Sequence, residues 1–156
     1  MNKMFRKILL GSCCLWCAAC QQQTVYHSFQ PLPKEGWSKG DTLTFTLPKE
    51  QLTPGTYRMD VEVRYRPSFA YRTLWMVVYR SQGDTRPPLV DTLHCELVSK
   101  DGKLTGDGIN SYYQQHCPLT GVRLDTTYTP IVRVAHYFKK GRIEGLSDIG
   151  IKLYRE

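Results

Sequence analysis

The sequence predicts an all-β protein, a single antiparallel β-sandwich of Ig-like or jelly-roll type carried behind an export leader. Three observations predict it. Residues 56–66 alternate apolar and charged side chains without a break. Seven or eight short apolar segments recur between turns marked by proline and glycine. Nowhere is a helical period sustained. Short strands at this spacing, with turn signals between them, are the pattern of a sandwich.

Taken in order, residues 25–29 form a short first strand. In 42–47, Leu43, Phe45 and Leu47 alternate with threonines, and Pro48 ends the run because it lacks the donor that a ladder needs. The clearest strand is 56–66. Tyr57, Met59, Val61, Val63 and Tyr65 occupy one side, and Arg58, Asp60, Glu62, Arg64 and Arg66 the other. A period of two sends the first set to the core and the second to water. Residues 73–80 are apolar nearly throughout, which suits a strand covered on both faces. Residues 92–98 bring Leu93, Cys95 and Leu97 to one face. Residues 131–138 and 149–154 complete the set, the last with Ile149, Ile151 and Leu153 aligned. Residues 110–115 are assigned one turn of helix at most. The glycine- and acid-rich stretch 101–110 lacks the oxygen spacing of an EF-hand, and its Lys103 is not followed by the Ser or Thr of a phosphate loop. Its glycines suit consecutive turns with positive φ.

The N-terminus sets the compartment. Lys3, Arg6 and Lys7 precede an apolar run, ILLGSCCLWCAA, that ends in two alanines. A basic start, a short apolar middle and small residues before a cut are what export requires. The run is shorter than the roughly 20 residues of a spanning helix. Ala18-Ala19-Cys20 resembles a lipobox, in which the cysteine after the cut receives acyl chains. An earlier box ending at Cys13 has too little apolar sequence before it, and a plain secretory cut near Cys20 is the lipid-free alternative. The expected organisation is a leader at 1–19, a lipidated tether at 20–24 and the sandwich at 25–156. Several acyl chains, each buried CH₂ contributing about 0.8 kcal/mol, hold a domain on a bilayer without a spanning helix.

Charge and cysteines narrow the function. Of 21 lysines and arginines, three belong to the leader, so 18 face 14 acids, without any basic run. Nucleic acid is therefore not an expected partner. Cys13, Cys14 and Cys17 leave with the leader and Cys20 carries lipid. Cys95 and Cys117 remain, and an even pair in an oxidising envelope invites a disulfide. Two separate buried thiols are the alternative. His94-Cys95 and His116-Cys117 have the residue types of a zinc site, but neighbours on a strand point to opposite faces, so no metal is expected. No nucleophile elbow, carboxylate pair or triad is present, so neither an enzyme nor a cofactor is expected. Phe69, Tyr71, Trp75, Tyr79, Tyr112 and Tyr113 are read as core first. Any of them left exposed would form a platform on which sugar rings stack.

These segments together resemble the gliding motility lipoprotein family GldH of Bacteroidota. The resemblance starts with the lipobox, Val25-Tyr26-His27-Ser28-Phe29, Trp37 and Asp41-Thr42-Leu43-Thr44-Phe45. It continues through Val63-Arg64-Tyr65-Arg66, Tyr71-Arg72-Thr73-Leu74-Trp75 and the glycine-rich 102–108, and closes on 145–151. It implies an outer-membrane lipoprotein that works beside other motility and secretion proteins through protein contacts, without catalysis or cofactor. Gln21-Gln22-Gln23 lacks the acids of a surface-export signal in this phylum, which favours a periplasm-facing anchor. A lipid-anchored glycan-binding module is the alternative function.

Overall fold

The computed structural model describes residues 23–81, 83 and 86–155. The leader and Cys20 lie outside these residues. Two antiparallel sheets face each other, as the alternation predicts. The larger has the order β1 (Thr24–Pro31), β11 (Leu146–Arg155), β4 (Gly55–Tyr65), β8 (Tyr112–Leu124) and β7 (Asp107–Ile109). The smaller runs β3 (Leu43–Thr46), β9 (Ile131–His136), β5 (Thr73–Arg80), β6 (Leu89–Glu96). A two-residue ladder of β2 (Trp37–Ser38) with β10 (Arg142–Ile143) closes one end.

β4 lies near the middle of the larger sheet, between β11 and β8. Its inward residues Tyr57, Met59, Val61, Val63 and Tyr65 are buried. They share one core cluster with Leu74, Met76 and Val78 of β5, Val132 and Val134 of β9, and Ile149, Ile151 and Leu153 of β11. At about 25 cal/mol per Å² of apolar surface, this shared burial is the largest favourable contribution to the fold. Tyr65 brings one polar atom into the core. Its hydroxyl lies 2.7 Å from Leu97 O and 2.6 Å from Thr105 O, and its single proton serves one carbonyl at a time. Burial raises the pKa of this phenol above its ordinary value, against the lowering effect of the Thr105 hydrogen bonds.

Three expectations are corrected. Residues 110–115 form no helical turn: Asn110, with φ +53°, leads into β8, a strand of 13 residues. Gln, His, Pro and Gly interrupt the alternation there, and this concealed the strand. Pro118 is tolerated because β7 pairs only with residues 112–114, so the rest of that edge has no partner strand among the described residues. The second correction concerns β5, which is covered on one face only. Leu74, Met76 and Val78 point inward, while Trp75 is 43% exposed. The third concerns β4, whose outward carboxylates are not wet: Asp60 is 2% and Glu62 0% exposed.

The link from β10 to β11 depends on Gly145, which holds φ +86°. A Cβ there would stand 2.7 Å from Phe69 Cα and 2.8 Å from its backbone nitrogen, atoms that cannot give way as a side-chain tip can. Gly145→Ala is expected to lower the unfolding free energy by about 1–3 kcal/mol, read as a shifted denaturation midpoint. An unchanged midpoint would mean that the turn relaxes at no cost.

Candidate functional site

Two outward faces and one inter-sheet contact carry the chemistry of this domain. On the larger sheet, the outward residues of four strands form a covered polar layer. Phe29 of β1 lies over Gly150 of β11, where a Cβ would meet the ring at 2.6 Å. Gly150 is thus a site of close approach, and its lack of a side chain lets β1 reach across β11. The Arg64 guanidinium stacks 3.6 Å above the Phe29 ring, and its Nε donates to Gln114 Oε1 at 2.9 Å.

Beside this stack, His27 Nε2 donates to Glu62 Oε2 at 2.6 Å. His116 Nδ1 stands 2.9 Å from Glu62 Oε1 but off the axis of a good hydrogen bond, so that oxygen has no well-directed partner. His27 comes from the edge strand β1, Glu62 from β4 and His116 from β8. A fully buried carboxylate is costly without such neighbours. No local pattern joins these histidines, because their contact with Glu62 depends on strand order across residue separations of 35 and 54.

The outward face of the smaller sheet is different in kind. The pairing sets His94, Trp75 and Tyr137 in one row across β6, β5 and the end of β9. Thr92, Val77, Ala135 and the flanking Thr42 follow, then Val90, Tyr79 and Arg133. Trp75, Val90 and Tyr137 are exposed, at 43%, 57% and 71%. The small Val77 and Ala135 sit lower than their aromatic neighbours, leaving a shallow depression of about 350 Å³ beside Tyr79 and Tyr137. Trp75 packs on His94 with centroids 4.4 Å apart and planes tilted by 48°. Tyr71 is turned instead toward Phe69 and Phe138, and Tyr112 and Tyr113 lie on the other sheet, half-buried.

Cys95 of β6 and Cys117 of β8 meet between the sheets with Cα atoms 5.6 Å apart, the separation of a bonded pair. Their neighbours His94 and His116 point away from them to opposite outer faces. His136, inward on β9, packs edge-on against Trp37 at 5.3 Å. Burial holds its ring below the ordinary imidazole pKa, opposed by the nearby Trp37 and Ser38 backbone. No group of three or more metal-ligating side chains converges among the described residues. Among them, too, no helix is long and apolar enough to cross a membrane.

An all-β sandwich with two elaborated outer faces, behind an N-terminal sequence that resembles a leader and lipobox, is the arrangement expected of an envelope lipoprotein. The model of the family described as GldH lipoprotein matches residues 24–153, nearly all of the described chain. The chain belongs to the GldH lipoprotein family, and is therefore a gliding-motility-associated envelope lipoprotein. No curated protein and no solved structure matches it significantly.

The Glu62 layer yields a direct test. Glu62→Ala strips both imidazoles of their partner and is expected to cost about 1–3 kcal/mol in chemical denaturation. Glu62→Gln keeps an acceptor for one ring and a donor for the other, so its cost should be smaller. Equal losses in the two variants would mean that packing, not the histidine contacts, explains the burial of Glu62.

Proposed function

We propose that the protein is a non-catalytic component of the gliding machinery and its associated secretion system, anchored to the outer membrane through acylated Cys20 and facing the periplasm. It acts by holding partner envelope proteins. The observation that carries this reading is the outward face of the smaller sheet. Trp75, Tyr137 and Val90 are exposed together around the Val77–Ala135 depression. Isolated exposed apolar residues need no explanation, but aromatic residues clustered on one rigid sheet are the residue types that dominate protein interfaces. A glycan platform would call for parallel exposed rings. Trp75 and His94 are tilted, and Tyr71, Tyr79 and Tyr112 are half-buried, which supports the protein-contact reading over it.

The test is in-cell crosslinking of the tagged full-length lipoprotein, with mass spectrometry of the membrane fraction. Crosslinks to motility or secretion proteins are expected, and Trp75→Ala with Tyr137→Ala should cut them at least tenfold without releasing the protein from membranes. Crosslinks to no envelope protein would remove the assembly role and leave glycan binding as the working function.

We further propose that Cys95 and Cys117 are disulfide-bonded in the oxidising envelope. β6 and β8 belong to different sheets, so the bond would clasp the sandwich across its core. Reduction, or Cys95→Ala with Cys117→Ala, is expected to lower stability by about 2–4 kcal/mol in denaturant titration. Identical curves with and without reductant, together with two alkylatable thiols in the untreated protein, would contradict the bond.

A further inference from the structure

We infer that the end of the sandwich bearing Arg86 and Arg123 rests on anionic phospholipid headgroups, and that this contact sets the orientation of the domain on the membrane. The inference rests on the proposed anchor at Cys20 and adds to it a second, electrostatic attachment.

Chain length makes the first part of the case. Only three residues separate Cys20 from Thr24, the first residue of β1. Four residue steps span at most about 14 Å. Whatever stands level with Thr24 is therefore close to the headgroups. Strand register shows what does: Thr24 pairs with Tyr154, the Arg155 amide donates to Gln23 O, Arg155 pairs with Tyr57, and the adjoining Thr56 pairs with Arg123. With strands about 4.8 Å apart, Arg123 on β8 lies roughly 15 Å across the sheet from β1 at the same level.

Charge makes the second part. At this end a recess of about 170 Å³ is lined by Arg80, Arg86, Arg123 and Asp125, floored by Leu124 and Pro130. Its arginines are not equally engaged. Arg80 Nε donates to Asp91 at 2.8 Å, and both groups are largely covered, so its charge is answered within the fold. Asp125 is occupied by its own turn, accepting from the Thr127 amide at 2.9 Å and hydroxyl at 2.6 Å. Those bonds first, then the nearby Arg86 and Lys49, hold its carboxyl below the usual range. Arg86 reaches it only at 4.0 Å, with both side chains more than half exposed. Arg123 is exposed and forms no ion pair among the described residues. Arg86, held only by this long ion pair, and Arg123, which has none among the described residues, are thus the exposed guanidinium groups beside a recess of a size that admits a phosphate. Planar guanidinium groups suit phosphate oxygens through paired N–H donors. A basic group at an anionic membrane surface changes partition by roughly fivefold. Two such groups do not anchor a domain, but they are enough to orient one already held by acyl chains.

The experiment uses the full acylated protein in vesicles of phosphatidylethanolamine, with or without phosphatidylglycerol. Phenylglyoxal labelling of each arginine is followed by mass spectrometry. Labelling of Arg86 and Arg123 is expected to slow at least threefold when phosphatidylglycerol is present, and to recover at roughly 1 M salt, where screening acts within about 3 Å. Arg66 and Arg142, exposed at the opposite end, should not change. Equal labelling of both ends in the two vesicle types would overturn the headgroup contact. So would equal protection by inorganic phosphate in neutral detergent, which would make the recess a site for free anions. The mass of the N-terminal peptide reads acylation of Cys20 separately, so loss of the anchor is distinguished from loss of the headgroup contact.

Discussion

The burial of β4 on both of its faces is the constraint on which the rest of the structure depends. Its inward column, Tyr57 to Tyr65, is drawn into the core with β5, β9 and β11 by the removal of apolar surface from water. Its outward column then cannot avoid an interior position, because β11 and β8 flank it and their side chains, with those of β1, close over it. Asp60 and Glu62 are charged groups that strand order has placed under cover. The neighbours available to them, Arg58 at 3.3 Å from Asp60 and the two imidazoles around Glu62, follow from the same constraint.

This arrangement ties the edge of the larger sheet to its middle. β1 is an edge strand, and edge strands are the part of a sheet most easily lost or mispaired. Here the backbone of β1 pairs with β11 alone, but three of its side chains reach further, among them Gln30, whose Nε2 donates to Thr44 O of β3 at 2.6 Å. Phe29 passes over Gly150 to the Arg64 stack, and His27 passes over β11 to Glu62. The first strand of the domain is thus fastened to its centre. A pull on an anchor at Cys20 would be borne by the sheet and not by its rim alone.

The two outer faces divide the work. The larger sheet turns outward a layer of charges and rings packed on one another, in which the Glu62 oxygen that lacks a well-directed partner is itself buried, so little is left for another protein. The smaller sheet turns outward unsatisfied apolar and aromatic surface around Val77 and Ala135. Under the proposed anchoring at the end where β1 begins, the smaller sheet's face would stand to the side of the attachment, open to neighbours in the envelope. The proposed holding role is consistent with this division, since the exposed aromatic surface lies on a sheet and not on a set of loops.

By itself, the sequence determined the fold class, most strand positions and the face that each strand buries. A period of two is a local property that neighbouring residues express without reference to the rest of the chain, and β4, β5 and β11 show it. The leader-like run and the lipobox-like segment are local patterns in the same way, as is the resemblance to the family. Local pattern failed where an edge tolerates irregularity, as in β8 with Pro118, and where apolar residues face outward, as at Trp75. Strand order belongs to the tertiary structure alone. It set His27 and His116 around Glu62, brought Cys95 to Cys117 from different sheets, and placed Arg123 level with the start of β1. Each of these contacts joins residues far apart in the chain, and whether they meet depends on which strands become neighbours, which no local spacing records.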